Sequence, residues 1–210
     1  MNLKRVVVTG MGALTPIGNS IDEFWNSLRA GESGANNITR FDASKFKTQF
    51  ACEVKDFDPL SVLDRKDIRK MDKYVHFGFA TTEECIKDSG IDLDRIDRYR
   101  AGVIWASGIG GLETFESEVG NFVKGDGTPR FNPFFIPKMI ADIAAGHISI
   151  RYGLMGPNFA TVSACASSAN SLIDAFNYIR LGIADLFITG GSEAAVTPSG
   201  IGGFNAMHAI

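Results

Sequence analysis

Short apolar runs alternate along the chain with longer segments in which apolar residues recur at helical spacing. The apolar runs predict buried strands over residues 5–9, 101–108, 159–164 and 185–191. The helical spacing predicts helices over residues 21–30, 71–89, 138–151 and 166–182. The proline-bounded aromatic segment 131–137 is expected to be a loop. Strands that alternate with helices are typical of a largely parallel sheet covered on both faces, so we predict an α/β fold.

The last predicted helix begins directly after a cysteine. Its helical spacing predicts one apolar stripe facing a core, formed by Ala169, Leu172, Ile173, Phe176 and Ile179. Cys165 lies at or just before the first turn, where backbone N–H groups lack partners and the helix dipole favours negative charge. Its neighbours in TVSACASSAN are small, which leaves room for a substrate beside the sulfur. This placement suits a thiolate nucleophile.

Packing is the alternative for Cys165, because free cysteines are among the most buried residues. A nucleophilic cysteine also needs a base or a cationic neighbour, and spacing alone identifies neither. Cys52 and Cys85 lack the strand-to-helix context, so we expect both to be structural. The three cysteines are widely separated and include no C-x-x-C pair, which argues against a zinc or redox site and favours a reducing, cytoplasmic compartment.

Composition and charge narrow the class of protein further. The chain has 210 residues, 45% of them apolar, which is enough for one substantial core or two small ones. Its net charge of −3 gives no bulk attraction to nucleic acid. Glycines and Pro16 interrupt the apolar start, which is not typical of a signal peptide. The uncharged segment 152–173 contains glycines, a proline and serines, so we interpret it as protein interior and expect no membrane span.

Two glycine-rich segments are only superficially like nucleotide-binding motifs. In GMGALTPIG, Gly10 and Gly12 fit a dinucleotide fingerprint, but Thr15 stands where the third glycine belongs. The segment 108–111 lacks the Lys-Ser/Thr pair of a P-loop. We therefore expect no cofactor and no metal. Glu193 of GGSEA is either a general base or, as we expect, a buried structural carboxylate.

Six segments occur in an order that resembles one protein family. They are VVVTGMGALTPIGN, DRKDIRKMDKY, ASGIGGLE, NPFFIPKMIA, TVSACASSAN, and GGSEA followed by TPSGIGGFNAMHA. Each segment is weak alone. Together they resemble the N-terminal half of the β-ketoacyl-acyl-carrier-protein synthases, the elongating type II enzymes of bacterial fatty-acid synthesis. The resemblance covers residues 3–210, essentially the whole chain.

The resemblance implies a thiolase-like fold, in which two similar α/β halves form a layered αβαβα sandwich, and the whole chain would be its N-terminal half only. It implies a homodimer that performs a decarboxylating Claisen condensation. Cys165 would take an acyl group from acyl carrier protein, and malonyl carrier protein would then extend that group by two carbons. The resemblance also implies an acyl pocket at Ile109, Phe135, Gly200 and Phe204, with Phe135 reaching across the dimer interface.

The segment DRKDIRKMDKY would present a basic face if it were helical. At about 100° per residue, five cations fall within about 140° of arc, namely Arg65, Lys66, Arg69, Lys70 and Lys73. An ordinary solvated helix is the plain interpretation. Carrier proteins are acidic and their phosphopantetheine arm carries a phosphate. The resemblance therefore implies a carrier-protein dock, with Lys66, Arg69 and Lys70 as the leading candidates.

The sequence also departs from the family pattern. Family members carry two catalytic histidines and a glycine-rich gating segment in their C-terminal half, and this chain has neither. Its three histidines, His76, His147 and His208, lie outside those motifs, and we expect them to pack or to be exposed. The chain stops at GFNAMHAI as though within an element. Because the two family histidines are missing, we expect a C-terminal half to be needed for condensation.

Three other functions remain open. One is a non-catalytic partner subunit, similar to the chain-length factors that pair with condensing subunits, although those usually lack the nucleophile. Another is a thiolase-like enzyme that uses acyl-CoA, against which the basic segment and the NPFFIP loop argue. The third is an unrelated cysteine hydrolase, which the resemblance makes remote.

Overall fold

The structure is a computed structural model that describes residues 3–210. Its helices are α1 (Ile21–Ala30), α2 (Arg65–Ile68), α3 (Lys73–Ser89), α4 (Leu112–Lys124), α5 (Phe135–Met139), α6 (Ile143–Tyr152), α7 (Ser167–Arg180) and α8 (Pro198–Ala206). Its strands are β1 (Ala35–Asn37), β2 (Phe50–Cys52), β3 (Ala101–Ala106), β4 (Asn158–Phe159) and β5 (Leu186–Gly191). Within this range, the structure contains no helix with the length and apolar character needed to cross a bilayer.

The central sheet has three parallel strands in the order β4-β3-β5. β3 pairs with β5 along its whole length, from Ala101 opposite Leu186 to Ala106 opposite Gly191. All six residues of β3 are buried, as expected of a central strand covered on both faces. The predicted α/β class with a parallel sheet is therefore confirmed. Because β3 and β5 end side by side, the loops that follow them meet at one edge of the sheet.

Helices α3 and α6 cover one face of this sheet. The alternate β3 residues Ala101, Val103 and Trp105 join the apolar core together with side chains of both helices. Tyr74 of α3 and Ile148 of α6 are 0% exposed. Burial of such large apolar side chains is the main source of stability in a fold of this kind. β1 and β2 form a separate antiparallel pair outside this sheet.

Helix α7 approaches the sheet through its small residues. Ser171 is fully buried, and its hydroxyl donates to the carbonyl oxygen of Gly190 at 2.8 Å. The predicted core-facing stripe is therefore wrong within this chain, since Leu172 and Ile173 are 51% and 55% exposed. Small residues let the helix approach the sheet closely, so the large apolar residues lie on its other side. α7 thus has an apolar face on the side away from the sheet, and this face is about half exposed in the described residues.

Two of the predicted strands differ from the structure. Residues 5–9 form no strand, and Val8 is 78% exposed. An apolar run becomes a strand only when a neighbouring strand supplies its hydrogen bonds, and none of the described strands pairs with this run. The strand predicted at 159–164 is shortened to Asn158–Phe159. The residues between β4 and Cys165 therefore leave the sheet before the cysteine.

The four predicted helices agree with the structure within a few residues, except that one of them begins later, and the pattern did not indicate α4 at all. The helix predicted at 138–151 begins only at Ile143, because the separate helix α5 occupies part of the segment expected to be a loop. The pattern did not indicate α8, whose sequence is rich in glycine. The start of α8 is fixed by Thr197, whose hydroxyl accepts from the Gly200 N–H at 3.1 Å.

The glycines of GMGALTPIG serve close packing against α3. A methyl group at Gly10 would overlap the carbonyl oxygen of Cys85, and one at Gly12 would overlap that of Thr81. The segment therefore lies directly on the helix backbone, and only glycine permits this approach. Packing explains both glycines without a bound nucleotide.

Candidate active site

Cys165 lies in an exposed 3₁₀ turn at the start of α7 and lines a pocket of about 430 Å³. The other lining residues come from the ends of β3 and β5 and the loops that follow them, from the turn and first residues of α7, and from α8. They are Ala106, Ser107, Gly108, Ile109, Ala164, Ser167, Ser168, Gly191, Ser192, Glu193, Ala195 and Phe204. A crevice at the carboxyl ends of parallel strands is the usual ligand site of α/β folds. The predicted nucleophile is thus accessible and has space beside it.

The turn before the sulfur is strained. Ala164 has a φ of 52°, a left-handed conformation that costs a residue with a side chain about 1–2 kcal/mol. The Ser167 hydroxyl holds this turn, because it accepts from the Ser163 N–H at 2.8 Å and donates to the Ala164 carbonyl oxygen at 2.7 Å. Backbone strain that neighbouring groups maintain is concentrated at functional sites. The turn therefore marks Cys165 as more than a packing residue.

Helix α7 begins without a side-chain cap. Its N-cap residue is Ala166, which has no side-chain oxygen to accept from the first N–H groups of the helix. The Ser167 N–H donates to the Ala164 carbonyl oxygen, and the positive end of the helix dipole lies next to Cys165 in the chain. N–H groups at the positive end of a helix can hold the oxyanion that forms when a carbonyl is attacked.

Glu193 follows β5 and binds the loop that follows β3. Its carboxylate accepts from the N–H groups of Gly108 at 2.7 Å and Ile109 at 3.1 Å, and from the Ser107 hydroxyl at 3.3 Å. Desolvation raises the pKa of Glu193, and these hydrogen bonds oppose that effect in part. The residue as a whole is exposed at the pocket, not buried as the sequence led us to expect. Its contacts are those of a structural carboxylate.

Two of the four implied acyl-pocket residues lie beside the sulfur. Ile109 is 44% exposed in the loop after β3, and Phe204 is 38% exposed on α8. Both line the pocket with Cys165, although they come from elements far apart in the chain. These two residues therefore contribute the large apolar side chains of the pocket wall, beside the smaller Ala106, Ala164 and Ala195.

The other two implied residues lie outside the lining of this pocket. The ring of Phe135 stacks on that of Phe131, with 5.4 Å between centroids, in a cluster of partly exposed aromatic rings. Gly200 is buried behind the wall, where a methyl group would overlap the carbonyl oxygen of the lining residue Ala195. Within one chain, Gly200 shapes the wall only indirectly, and Phe135 is part of a different surface.

The three predicted docking residues line a second and more polar pocket, of about 790 Å³. Its lining residues are Arg65, Lys66, Arg69, Lys70, Glu118, Asn121, Arg130, Phe131, Asn132, Pro133 and Phe134. The sequence pattern gives no sign of Arg130, because this residue lies far along the chain from the others. Five cations around a cleft that contains one carboxylate produce a positive potential that suits an acidic or phosphorylated partner.

DRKDIRKMDKY is not one continuous helix, so the condition for a single basic face along it is not met. α2 covers only Arg65–Ile68, and α3 begins at Lys73. Asp72 separates the two helices because its side chain caps α3 by accepting from the Tyr74 N–H. Lys73 is therefore removed from the basic pocket and pairs with Glu113 at 3.1 Å.

None of the pocket residues around Cys165 in the described chain is a histidine. His76 is 8% exposed, and its Nε2 lies 3.2 Å from the carbonyl oxygen of Ile68. His147 is half-buried in α6, and burial lowers the pKa of both rings. His208 is exposed. The expectation that the histidines pack or are exposed is confirmed. The part of the chain that the structure describes also has no group of His, Cys, Asp and Glu arranged to hold a metal ion.

Comparison with known families defines the class to which this fold and site belong. Residues 3–210 match the family model described as the N-terminal domain of beta-ketoacyl synthase. The chain therefore belongs to the beta-ketoacyl synthase family, as the sequence motifs indicated.

Individual relatives narrow the resemblance. The chain is 44% identical over 210 residues to the 3-oxoacyl-[acyl-carrier-protein] synthase 2 of Coxiella burnetii. The aligned region is 100% of this chain and 50% of that protein. The chain is 42% identical over 207 residues to the synthase of the same name from a Synechocystis strain, covering 99% and 50%. The chain thus spans about half the length of the curated relatives it matches.

Solved structures agree on the fold. The ishigamide ketosynthase/chain length factor has a TM-score of 0.90 at 26% identity, covering 98% of this chain and 51% of that chain. A beta-ketoacyl synthase from Burkholderia phymatum has a TM-score of 0.85 at 26% identity, covering 99% and 51%. The expected fold, the N-terminal half of a thiolase-like ketosynthase, is confirmed.

Proposed function

We propose that this chain provides the acyl-accepting half of a β-ketoacyl-acyl-carrier-protein synthase, which joins an acyl and a malonyl group by decarboxylative Claisen condensation in fatty-acid elongation. The observation that carries the proposal is the exposed Cys165, held in a strained turn at the start of α7 and beside a pocket. The names of the similar proteins support both the reaction and the carrier protein.

In the first step, the Cys165 thiolate attacks the thioester carbonyl of an acyl carrier protein. N–H groups at the uncapped start of α7 stabilise the oxyanion that forms. The carrier thiolate leaves and takes up a proton, and the acyl group stays on Cys165 as a new thioester. The acyl chain then occupies the pocket beside Ile109 and Phe204.

In the second step, malonyl carrier protein loses carbon dioxide and the resulting carbanion attacks the Cys165 thioester. A carbon–carbon bond forms, the cysteine leaves as a thiolate, and the 3-ketoacyl product is two carbons longer. The described pocket lining contains no histidine that could promote the loss of carbon dioxide. We infer that a C-terminal half of the fold supplies these groups.

The apolar face of α7 away from the sheet supports the need for that half. Leu172, Ile173 and Phe176 are 51%, 55% and 42% exposed on this face. Apolar area removed from water is worth about 25 cal/mol per Å², so a face of this size favours a covering partner. In a sandwich of two α/β halves, a helix that packs small residues on one sheet and has large apolar residues on its other side fits between the two sheets.

The basic pocket is the proposed dock for acyl carrier protein in both its acyl and malonyl forms. Lys66 and Arg69 are exposed there, and Lys70 is partly exposed beside Asp67, its ion-pair partner at 3.1 Å. A surface pair of this kind is worth little, so Lys70 can exchange Asp67 for a phosphate or a carboxylate of the carrier. Arg130 adds a further cation from another segment.

The proposal includes a homodimer in the cytoplasm and requires no cofactor, nucleic acid or membrane partner. Cys52, Cys85 and Cys165 are all free thiols, which is typical of a reducing compartment. The aromatic cluster around Phe131 and Phe135 has exposed rings that would suit contact with a second copy of the chain.

Two measurements test the proposed function. Peptide mapping after reaction with cerulenin, a cysteine-directed inhibitor, is expected to find the modification on Cys165. Preferential modification of Cys52 or Cys85 would overturn the site assignment. With carrier-protein substrates, the chain alone is expected to form acyl-Cys165 and no 3-ketoacyl product. Formation of that product by the chain alone would contradict the need for a second half.

A non-catalytic partner subunit is the second candidate, because one similar structure is a ketosynthase/chain length factor. The exposed Cys165 in its pocket argues against this role. The alternative of a thiolase-like enzyme that uses acyl-CoA is tested by comparing how fast an acyl carrier protein and an acyl-CoA transfer the same acyl group to Cys165. The basic pocket predicts faster acylation of Cys165 by an acyl carrier protein than by the matching acyl-CoA.

A further inference from the structure

A single carboxylate joins the loops that follow β3 and β5. Glu193 accepts from the N–H groups of Gly108 at 2.7 Å and Ile109 at 3.1 Å through one oxygen. Its other oxygen lies 3.3 Å from Oγ of Ser107, and that hydroxyl oxygen accepts from the Gly110 N–H at 2.9 Å. One side chain therefore fixes four successive loop residues, directly or through Ser107. We call these five residues the carboxylate clamp.

The clamp packs against the turn that carries the nucleophile. Ser107 is 1% exposed, so its hydroxyl has no access to water as a substitute partner. A methyl group at Gly108 would lie 2.9 Å from the Glu193 carboxylate and 3.6 Å from the Ala164 carbonyl oxygen. Glycine thus lets the loop backbone lie between the carboxylate and the strained turn. The distance of this loop from Cys165 consequently depends on Glu193.

Ile109 is the clamp residue that contributes a large side chain to the pocket wall. Its backbone N–H is held by Glu193, so the carboxylate fixes the point from which the side chain extends. Hydrogen bonds from N–H groups to a carboxylate are roughly twice as strong as neutral ones, which makes the clamp stiff. Apolar pockets discriminate between substrates that differ by one methylene, so a small displacement of Ile109 changes which acyl chains fit.

We propose that Glu193 is a positioning residue that fixes the Ile109 wall of the Cys165 pocket and thereby sets the longest acyl chain that the thiol accepts. The inference rests on the proposed function, since it requires an acyl group to enter this pocket. Glu193 acts through the backbone of Gly108 and Ile109 and does not contact the reacting atoms.

The test compares Glu193→Gln with Glu53→Gln in the 210-residue chain. Glutamine keeps the size of the side chain and one acceptor oxygen but removes the charge. Glu53 is a matched control, because its carboxylate is buried and accepts from the N–H groups of Thr39 at 3.2 Å and Arg40 at 3.4 Å, away from the pocket lining. Acyl thioesters from butyryl to palmitoyl are offered, and mass spectrometry gives the rate of Cys165 acylation for each length.

In the wild-type protein, acylation is expected to fall steeply above one chain length. In Glu193→Gln, the ratio between the acylation rates for accepted and for longer chains should be about tenfold smaller than in the wild type. A factor of about ten is the discrimination that one misfitted methylene provides. Glu53→Gln should leave the length profile unchanged. A folded Glu193→Gln protein with the wild-type profile would overturn the proposal. If Glu193→Gln does not fold, Ser107→Ala replaces it, because this variant releases only Gly110 and should weaken the fall by a smaller factor. A wild-type profile in Ser107→Ala would then overturn the proposal.

Amide hydrogen exchange separates this proposal from the proposed function. The Gly108 and Ile109 amides should exchange about tenfold faster in Glu193→Gln than in the wild type, and they should be unaffected in Glu53→Gln. If wild-type Cys165 accepts no acyl group, the proposed function fails and the acyl-length role fails with it, whatever the exchange rates show. If Cys165 is acylated but exchange in Glu193→Gln is unchanged, the proposed function stands and the clamp is refuted.

Discussion

The Ser167 hydroxyl donates a hydrogen bond to the carbonyl oxygen of Ala164 at 2.7 Å. Ala164 is the left-handed residue that directly precedes Cys165. The same hydroxyl accepts from the Ser163 N–H at 2.8 Å, and Ser167 is only 4% exposed. One buried side chain therefore makes hydrogen bonds with the backbone N–H before Ala164 and with the carbonyl oxygen of Ala164 itself. This contact holds the sulfur at the pocket, and its removal is a direct test of the turn.

Ser167→Ala is expected to loosen the turn. The Ser163 N–H loses its partner, and the Ala164 carbonyl oxygen keeps only the backbone N–H of residue 167, so the free energy of unfolding should fall by about 1–2 kcal/mol. The rate of Cys165 alkylation by iodoacetamide should also fall, because the thiol is no longer held at the start of α7. Ser61→Ala is the matched control, since the Ser61 hydroxyl donates to the Asp58 carbonyl oxygen at the same 2.7 Å on an exposed turn. Equal effects of the two variants on alkylation would contradict the role given to Ser167.

Ala164→Gly is expected to stabilise the chain. Glycine adopts a positive φ without the steric cost that alanine has there, so the free energy of unfolding should rise by up to about 1 kcal/mol in denaturant titration. Ala166→Gly is the control two residues away, where φ is −94° and glycine offers no such relief. That control should be neutral or destabilising. If Ala164→Gly destabilises the chain as much as Ala166→Gly does, the turn is not strained.

Charge reversal at Arg69 tests the basic pocket. Arg69→Glu should weaken the binding of acyl carrier protein about tenfold at low ionic strength, and by less at high salt, because exposed charges are screened over about a Debye length. Arg29→Glu reverses another exposed arginine, on α1 and outside the pocket lining, and should change binding little. Calorimetric titration at two salt concentrations gives both affinities. Equal affinities for wild type and Arg69→Glu at low salt would make this segment an ordinary solvated surface.

Acid should destabilise the fold through its buried histidines. Burial lowers the pKa of His76 and His147 below the ordinary value of 6.5, so the unfolded chain binds more protons than the folded chain just below that pH. This contribution to stability is complete well above pH 6.5, the ordinary pKa of the unfolded rings, and is lost as the pH falls below it. Burial raises the pKa of Asp72, which acts in the opposite sense at lower pH.

Denaturant titrations at several pH values test this assignment. In His76→Gln, the loss of unfolding free energy between about pH 7 and about pH 5.5 should be smaller than in the wild type. His208→Gln changes an exposed histidine and should leave the wild-type slope intact. An identical slope in His76→Gln would show that this ring does not cause the acid sensitivity.

Local sequence patterns were sufficient to predict the helices and strands whose packing partners lie within the described residues. β3 and β5 are short apolar runs, and α3 has both a long helical period and the glycine that ends it, Gly90, in a left-handed conformation. The pattern failed where the outcome depends on a surface outside the described residues. The run at 5–9 lacks a pairing strand, and the apolar stripe of α7 lies on the face opposite the sheet. An apolar pattern predicts that a residue will be buried, but it does not identify the strand, helix or second chain against which the residue packs.

The candidate site shows the same division. Cys165 was found from its position between a strand and a helix, which is a local signal. The clamp formed by Glu193 and the loop after β3 was not, because the partners meet only when two parallel strands end side by side. Arg130 joins the basic pocket for the same reason. The positive φ of Ala164 has no sequence signal at all, since alanine is not a residue that favours it.

The central claim is that the Cys165 sulfur accepts an acyl group from a carrier protein. Incubation with an acyl carrier protein that bears a labelled acyl chain, followed by digestion and mass spectrometry, tests this claim most directly. The result expected is one acyl group per chain, attached to the peptide that contains Cys165 and absent from Cys165→Ala. A protein that stays unacylated, even together with a C-terminal half of the fold, or that carries the group on Cys52 or Cys85, would contradict it.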